Sequence, residues 1–278
     1  MSLLMGTLAA LAWGVHDMVV RIVSPRGDIA PLLFTALLAG TALLAPVALL
    51  ADQGNPLPWP SLALALLAGL AFAAASIGLY RAFAIGPVRL VAPVCGSYPV
   101  LSLTIAAHQG RPAALWEWAA ILAIVAGLAL AASRSEDEPA GPRGQAILWA
   151  LVGATGFALT FGLAQRAASD GGELTVTVVA RLVALGCVGG WMILARIPLA
   201  PARAQWRPLV LVGALDATAI SLVVAAARFP SPEYAAVTSS VFGLVTILLA
   251  WRFLGEAMRA TQWLGVLIVF AGIAAIAT

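Results

Sequence analysis

Long apolar runs alternate with short polar or Pro/Gly-containing breaks along the whole chain. A membrane-spanning helix needs about 20 apolar residues at about 1.5 Å rise each. The pattern predicts ten of them, over 3–23, 30–51, 61–83, 89–108, 113–133, 145–166, 174–195, 207–228, 234–252 and 260–277. The breaks are sharp: Ser24-Pro25-Arg26-Gly27-Asp28, Asp52-Gln53-Gly54-Asn55-Pro56, Gly86-Pro87, Gly110-Arg111-Pro112 and Phe229-Pro230-Ser231-Pro232. Ser133–Gly144 (SRSEDEPAGPRG) is the longest polar stretch and falls halfway.

The two halves repeat. At an offset of 145 residues Gly110 meets Gly255, Trp118 meets Trp263, and Gly127 meets Gly272. Arg21 on Arg166, Leu66 on Leu211 and Pro87 on Pro232 carry the match further. This predicts one unit written twice, as 1–134, a linker 135–143, and 144–278. Five helices per unit is an odd number, so the second unit must enter the bilayer from the opposite face. The expected fold is an all-α membrane protein with ten transmembrane helices in an inverted 5+5 repeat. Secondary transporters share that plan, with a solute site near the midplane between the halves.

Composition agrees. The chain is 62% hydrophobic and 10% charged, against about 25% charged in soluble domains. The net charge of +3 does not indicate nucleic acid: there is no Lys, and the 15 Arg are scattered near helix ends rather than clustered. Cys95 and Cys187 lie in apolar runs and read as small buried hydrophobes. No Cys/His spacing suggests a metal, and no cofactor is expected. The first apolar run has no basic flank of the signal-peptide kind and matches residues near 148–168, so it is read as part of the bundle.

Several short motifs resemble the drug/metabolite transporter superfamily, EamA type. Leu254-Gly255-Glu256 followed by Trp263, Gly265 and Gly272 matches that family's repeat ending. Tyr98-Pro99-Val100 resembles its fourth-helix proline. The first repeat departs, with Gln109-Gly110-Arg111 in place of Leu-Gly-Glu, and the ninth helix has Gly243-Leu244 where the proline would stand. The resemblance implies ten helices, export of amino acids or other metabolites, and a cavity drawn from helices 1, 3, 4, 6, 8 and 9. It also implies both termini inside a bacterial-type inner membrane. Charge points the other way: loops after odd-numbered helices carry 11 of the arginines, which by the positive-inside rule puts both termini outside.

Positions that break the repeat are the candidates for an asymmetric task. Asp216 meets Ala71, and Arg181 meets Ala36. Both lie deep, about 15 Å and about 22 Å from the ends of their helical hairpin, where ionisable groups face the bundle interior. They form either a structural ion pair or a charge pair for a zwitterion or a gate. His16 and Asp17 interrupt the first helix. Asp17 either pairs with Arg21 at i,i+4 or works with His16 in proton coupling. Trp13, Tyr80, Tyr98 and Phe157, with Trp149 and Phe161, are seam aromatics that either pack or line a pocket. Ser76, Thr160 and Ser239 are polar partners for it, unless bonded to their own helix carbonyls. The expected partners are a small solute and the lipid bilayer; a monomer suffices. A membrane enzyme acting on a lipid-linked substrate is the rival class. It would need a clustered catalytic set, which His16 and His108, far apart, do not supply.

Overall fold

The computed structural model describes residues 1–23, 28–52, 56–86, 91, 94–108, 110, 113–131, 133, 143–169, 172–254 and 259–277. Among these there is no strand. The helices are α1 (Ser2–Val23), α2 (Ile29–Ala51), α3 (Trp59–Ile85), α4 (Tyr98–His108), α5 (Leu115–Ala131), α6 (Arg143–Ala167), α7 (Glu173–Leu194), α8 (Trp206–Ala225), α9 (Glu233–Ser239), α10 (Phe242–Leu254) and α11 (Ala260–Ala277). A single turn, Ala200–Arg203, precedes α8, and a 3₁₀ turn, Ala226–Arg228, ends it.

Among the described residues seven stretches are long and apolar enough to cross a bilayer: Ser2–Val20, Ile29–Ala51, Trp59–Ile85, Gly144–Ala167, Glu173–Leu194, Trp206–Arg228 and Glu233–Phe253. Leu115–Leu130 and Ala260–Gly272 are shorter apolar helices. Large apolar side chains such as Leu50, Leu115, Leu194 and Phe253 stand exposed on the outer surface. In water that surface would be untenable, whereas lipid accepts it because helices satisfy their own backbone groups. The chain is a multi-pass membrane protein.

Two stretches depart from the expected pattern. The run expected as one helix over 89–108 is interrupted: Val91, Val94 and Cys95 are helical, Gly96-Ser97 form a turn, and α4 begins at Tyr98. Pro99 fits there because the first turn of a helix needs no N–H from it; Pro93 lies outside the described residues. The run expected as one helix over 234–252 is broken at Ser240-Val241 into α9 and α10. The cause is local. Thr238, Ser239 and Ser240 turn their hydroxyls back onto the carbonyls of Tyr234, Ala236 and Val237 at 2.9, 3.0 and 2.7 Å. Three such bonds in succession offer the backbone an alternative to the helical ladder.

Several helix contacts recur at the 145-residue offset. α1 packs on α8 as α6 packs on α3, and α2 on α8 as α7 on α3. α5 packs chiefly on α11. At that crossing a Cβ placed on Gly127 would stand 2.8 Å from the Gly265 carbonyl oxygen, and one on Gly272 3.0 Å from that of Ala120. The two contacts are each other's images under the 145-residue offset. The later residue of one helix meets the earlier residue of the other, so α5 and α11 run antiparallel. Helices in lipid associate where small residues admit close approach. The α2–α8 crossing is closer still, with a Cβ on Gly40 falling 2.3 Å from the Gly213 carbonyl oxygen.

Candidate functional site

Helical spacing assembles the site. Trp13, His16 and Asp17 share one face of α1, since residues three and four apart are neighbours. Ser76, Leu79 and Tyr80 repeat that spacing on α3, and Phe157 and Phe161 lie one turn apart on α6. These residues, with Tyr98 of α4, Asp216 of α8 and Phe242 of α10, line one cavity. Leu33, Ala36 and Leu37 of α2 close it on the remaining side. Space inside for a water-sized particle is about 20 Å³, room for a water or two and not for a whole solute.

The aromatic wall is continuous. The Trp13 ring centre lies 6.2 Å from Phe157, 5.7 Å from Phe161 and 6.4 Å from Phe242. Tyr98 stands 6.1 and 5.4 Å from Phe157 and Phe161. These separations fall in the favourable range for ring pairs. Tyr98 Oη and Ser239 Oγ share a hydrogen bond of 2.6 Å, tying α4 to the end of α9.

Two acidic groups enter this wall with different partners. Asp216 accepts from Trp13 Nε1 through Oδ1 at 3.0 Å and from Arg181 Nη1 through Oδ2 at 2.5 Å. Arg181 is fully buried, and its guanidinium carbon lies 5.8 Å from the Phe72 ring centre. It fits because residue 40 is glycine: a Cβ there would stand 2.3 Å from Nη2. Asp17 shares a 2.8 Å bond with His16 Nδ1 through Oδ1, while its Oδ2 is buried without a hydrogen-bond partner. His16 meets the Tyr80 ring edge-on at 6.4 Å.

The sequence-derived candidates are thus sorted. Trp13, His16, Asp17, Ser76, Tyr80, Tyr98, Phe157 and Asp216 meet at the cavity. Arg181 does not line it but stands behind Asp216. Thr160 is buried and returns its hydroxyl to the Gly156 carbonyl at 2.7 Å. Ser239 reaches the site only through Tyr98. The partner of Asp17 is His16, and the side chain of Arg21 lies outside the described residues. Sequence reasoning missed Phe242, which follows the unforeseen break between α9 and α10. It also missed the α2 wall, whose Leu and Ala residues carry no signal in an apolar run.

A second cavity of about 230 Å³ adjoins the first and shares Phe161 with it. Ser102, Gln165, Arg166, Ser169 and Glu233 give it a polar lining. Gln165 Nε2 donates to the carbonyls of Val223 and Pro232 at 2.9 and 3.0 Å, stitching α6 to the last turns of α8 and to the residue before α9. On the same side of the bundle, Arg228 makes a two-pronged pair with Glu173 through Nε and Nη2. Among the described residues no three His, Cys, Asp or Glu side chains gather as metal ligands.

No curated protein matches the chain in sequence. Among solved structures, one crystal structure of a protein matches over 99% of this chain and 96% of its own, with a TM-score of 0.77 at 18% identity. That likeness concerns the fold. The EamA-like transporter family matches in two parts, residues 1–133 and 144–278. With nearly the whole length matched, the chain belongs to the EamA-like transporter family, membrane transporters of small solutes.

Proposed function

We propose that the protein is a carrier exporting small organic solutes, amino acids including aromatic ones, by alternating access through the aromatic cavity. Its two units, 1–134 and 144–278 around the linker 135–143, form an inverted repeat of five spans each. The reading is supported by the two-part family match, by packing that repeats at the 145-residue offset, and by the antiparallel α5–α11 crossing. Two like units in opposite orientation exchange shapes at similar energy, which opens one face and then the other.

The observation that carries the proposal is a cavity walled from both units at mid-helix depth, with rings on most sides and few polar groups. Such a lining suits a partly apolar solute anchored at one or two points. Its small volume corresponds to a closed state, and the 230 Å³ chamber beyond Phe161 is the approach from one face. The carrier works in a bacterial-type inner membrane, and a monomer suffices. The arginine distribution favours both termini outside, which makes the approach chamber external; cysteine labelling from either side of the membrane reads this directly.

Purified protein in liposomes provides the test. Preloading with unlabelled phenylalanine should drive saturable uptake of labelled phenylalanine. Flux that never saturates and shows no counterflow would sink the carrier reading.

A further inference from the structure

The two carboxylates of the cavity are not equivalent. Asp216 has Arg181 and Trp13 on its two oxygens. Asp17 has one oxygen on His16, and the other, Oδ2, is buried and unpartnered. A buried carboxylate oxygen without a donor is costly. It persists here beside a space of about 20 Å³, which accepts a head group the size of a water molecule. The rings of Trp13, Tyr80, Tyr98, Phe157, Phe161 and Phe242 line the same space, and aromatic faces attract cations. Arg181 pairs with Asp216 and does not line this space.

We infer that the cavity is an ammonium site: Asp17 receives the protonated amine of the solute while the surrounding rings hold its charge. This rests on the carrier reading and names the chemical class of its substrate. The apolar or polar body of such a solute extends past Phe161 into the neighbouring 230 Å³ chamber. A free carboxylate on the solute is not required by the cavity, because Arg181 has no face on it.

Three probes that differ only at the charged end decide the matter: phenethylamine, phenylalanine and 3-phenylpropionate, measured as equilibrium binding to the purified full chain. The amine and the amino acid should bind, with the acid weaker by about tenfold or more. Asp17→Asn should weaken the first two by roughly 10- to 100-fold, the range for a charge-assisted hydrogen bond in a desolvated site, and Asp17→Glu should restore part of the loss. Equal binding of the acid, unchanged binding in Asp17→Asn, or no binding by any probe overturns the inference. If the Asn variant does not fold, the ranking of the three probes on the unaltered protein still decides it. Failure of the carrier reading looks different: the probes bind in the expected order but liposomes show no counterflow.

Discussion

Removing the guanidinium of Arg181 isolates the energetics of the Asp216 pair. In Arg181→Met the side chain keeps much of its length and loses its charge. Asp216 then retains Trp13 Nε1 on Oδ1 but loses the 2.5 Å donor on Oδ2, leaving a carboxylate charge deep in the bundle with no counter-ion. Breaking a buried pair from one side costs about 3–5 kcal/mol. Arg181 makes this pair with one hydrogen bond, its Nε and Nη2 being unpartnered, so its own desolvation is poorly offset. The double variant Arg181→Met, Asp216→Leu should therefore recover most of the loss, because paired apolar replacements of buried ions are often neutral or better. The assay is a double-mutant cycle on unfolding free energy in detergent micelles, with a coupling of at least about 2 kcal/mol expected. The reasoning is refuted if Arg181→Met costs less than about 1 kcal/mol, or if the double variant is no more stable than the worse single one. Liposome flux on the same proteins separates stability from transport. A stable double variant that no longer exchanges solute assigns Asp216 to binding, and one that exchanges normally leaves the pair a structural role.

Gly40→Ala should lower stability by about 1–3 kcal/mol, the usual range for overpacking, since its Cβ meets both Gly213 and Arg181; thermal unfolding measures it, and an unchanged midpoint would contradict the crossing. Tyr98→Phe should cost about 1 kcal/mol for the lost bond to Ser239, and the Tyr98→Phe, Ser239→Ala double variant should cost less than the sum of the two singles, because the shared bond is lost in each, while the Ser239 bond to the Ala236 carbonyl adds its own cost to Ser239→Ala. Phe161→Ala should open the aromatic cavity to the adjoining chamber, so that a thiol reagent in water labels a Ser76→Cys side chain faster than in the Phe161 protein. An equal labelling rate would mean that Phe161 is not the partition.

The all-helical, membrane-spanning character was legible because the bilayer imposes a length on apolar runs. His16 and Asp17 are legible as polar groups interrupting an apolar helix, and Trp13 as one of the seam aromatics, but their common face is seen only in the structure. Asp216 and Arg181 stood out because ions in such helices need partners. What escaped was set by tertiary placement. Nothing in Leu33, Ala36 and Leu37 distinguishes a cavity wall from a lipid face, since both are apolar. That Arg181 stands behind Asp216 depends on the notch at Gly40, formed only when α2 crosses α8. The break after Ser239 rests on three hydroxyls acting together, each of which alone would have been tolerated in a continuous helix.

The crossing of α5 and α11 has the logic of a homodimer interface within one polypeptide. Gly127 receives the Gly265–Val269 edge and Gly272 receives the Ala120–Ile124 edge, so each helix is at once socket and plug. Such a surface is complementary to itself. Carrying both edges in one polypeptide makes their meeting intramolecular, which adds concentration rather than new recognition.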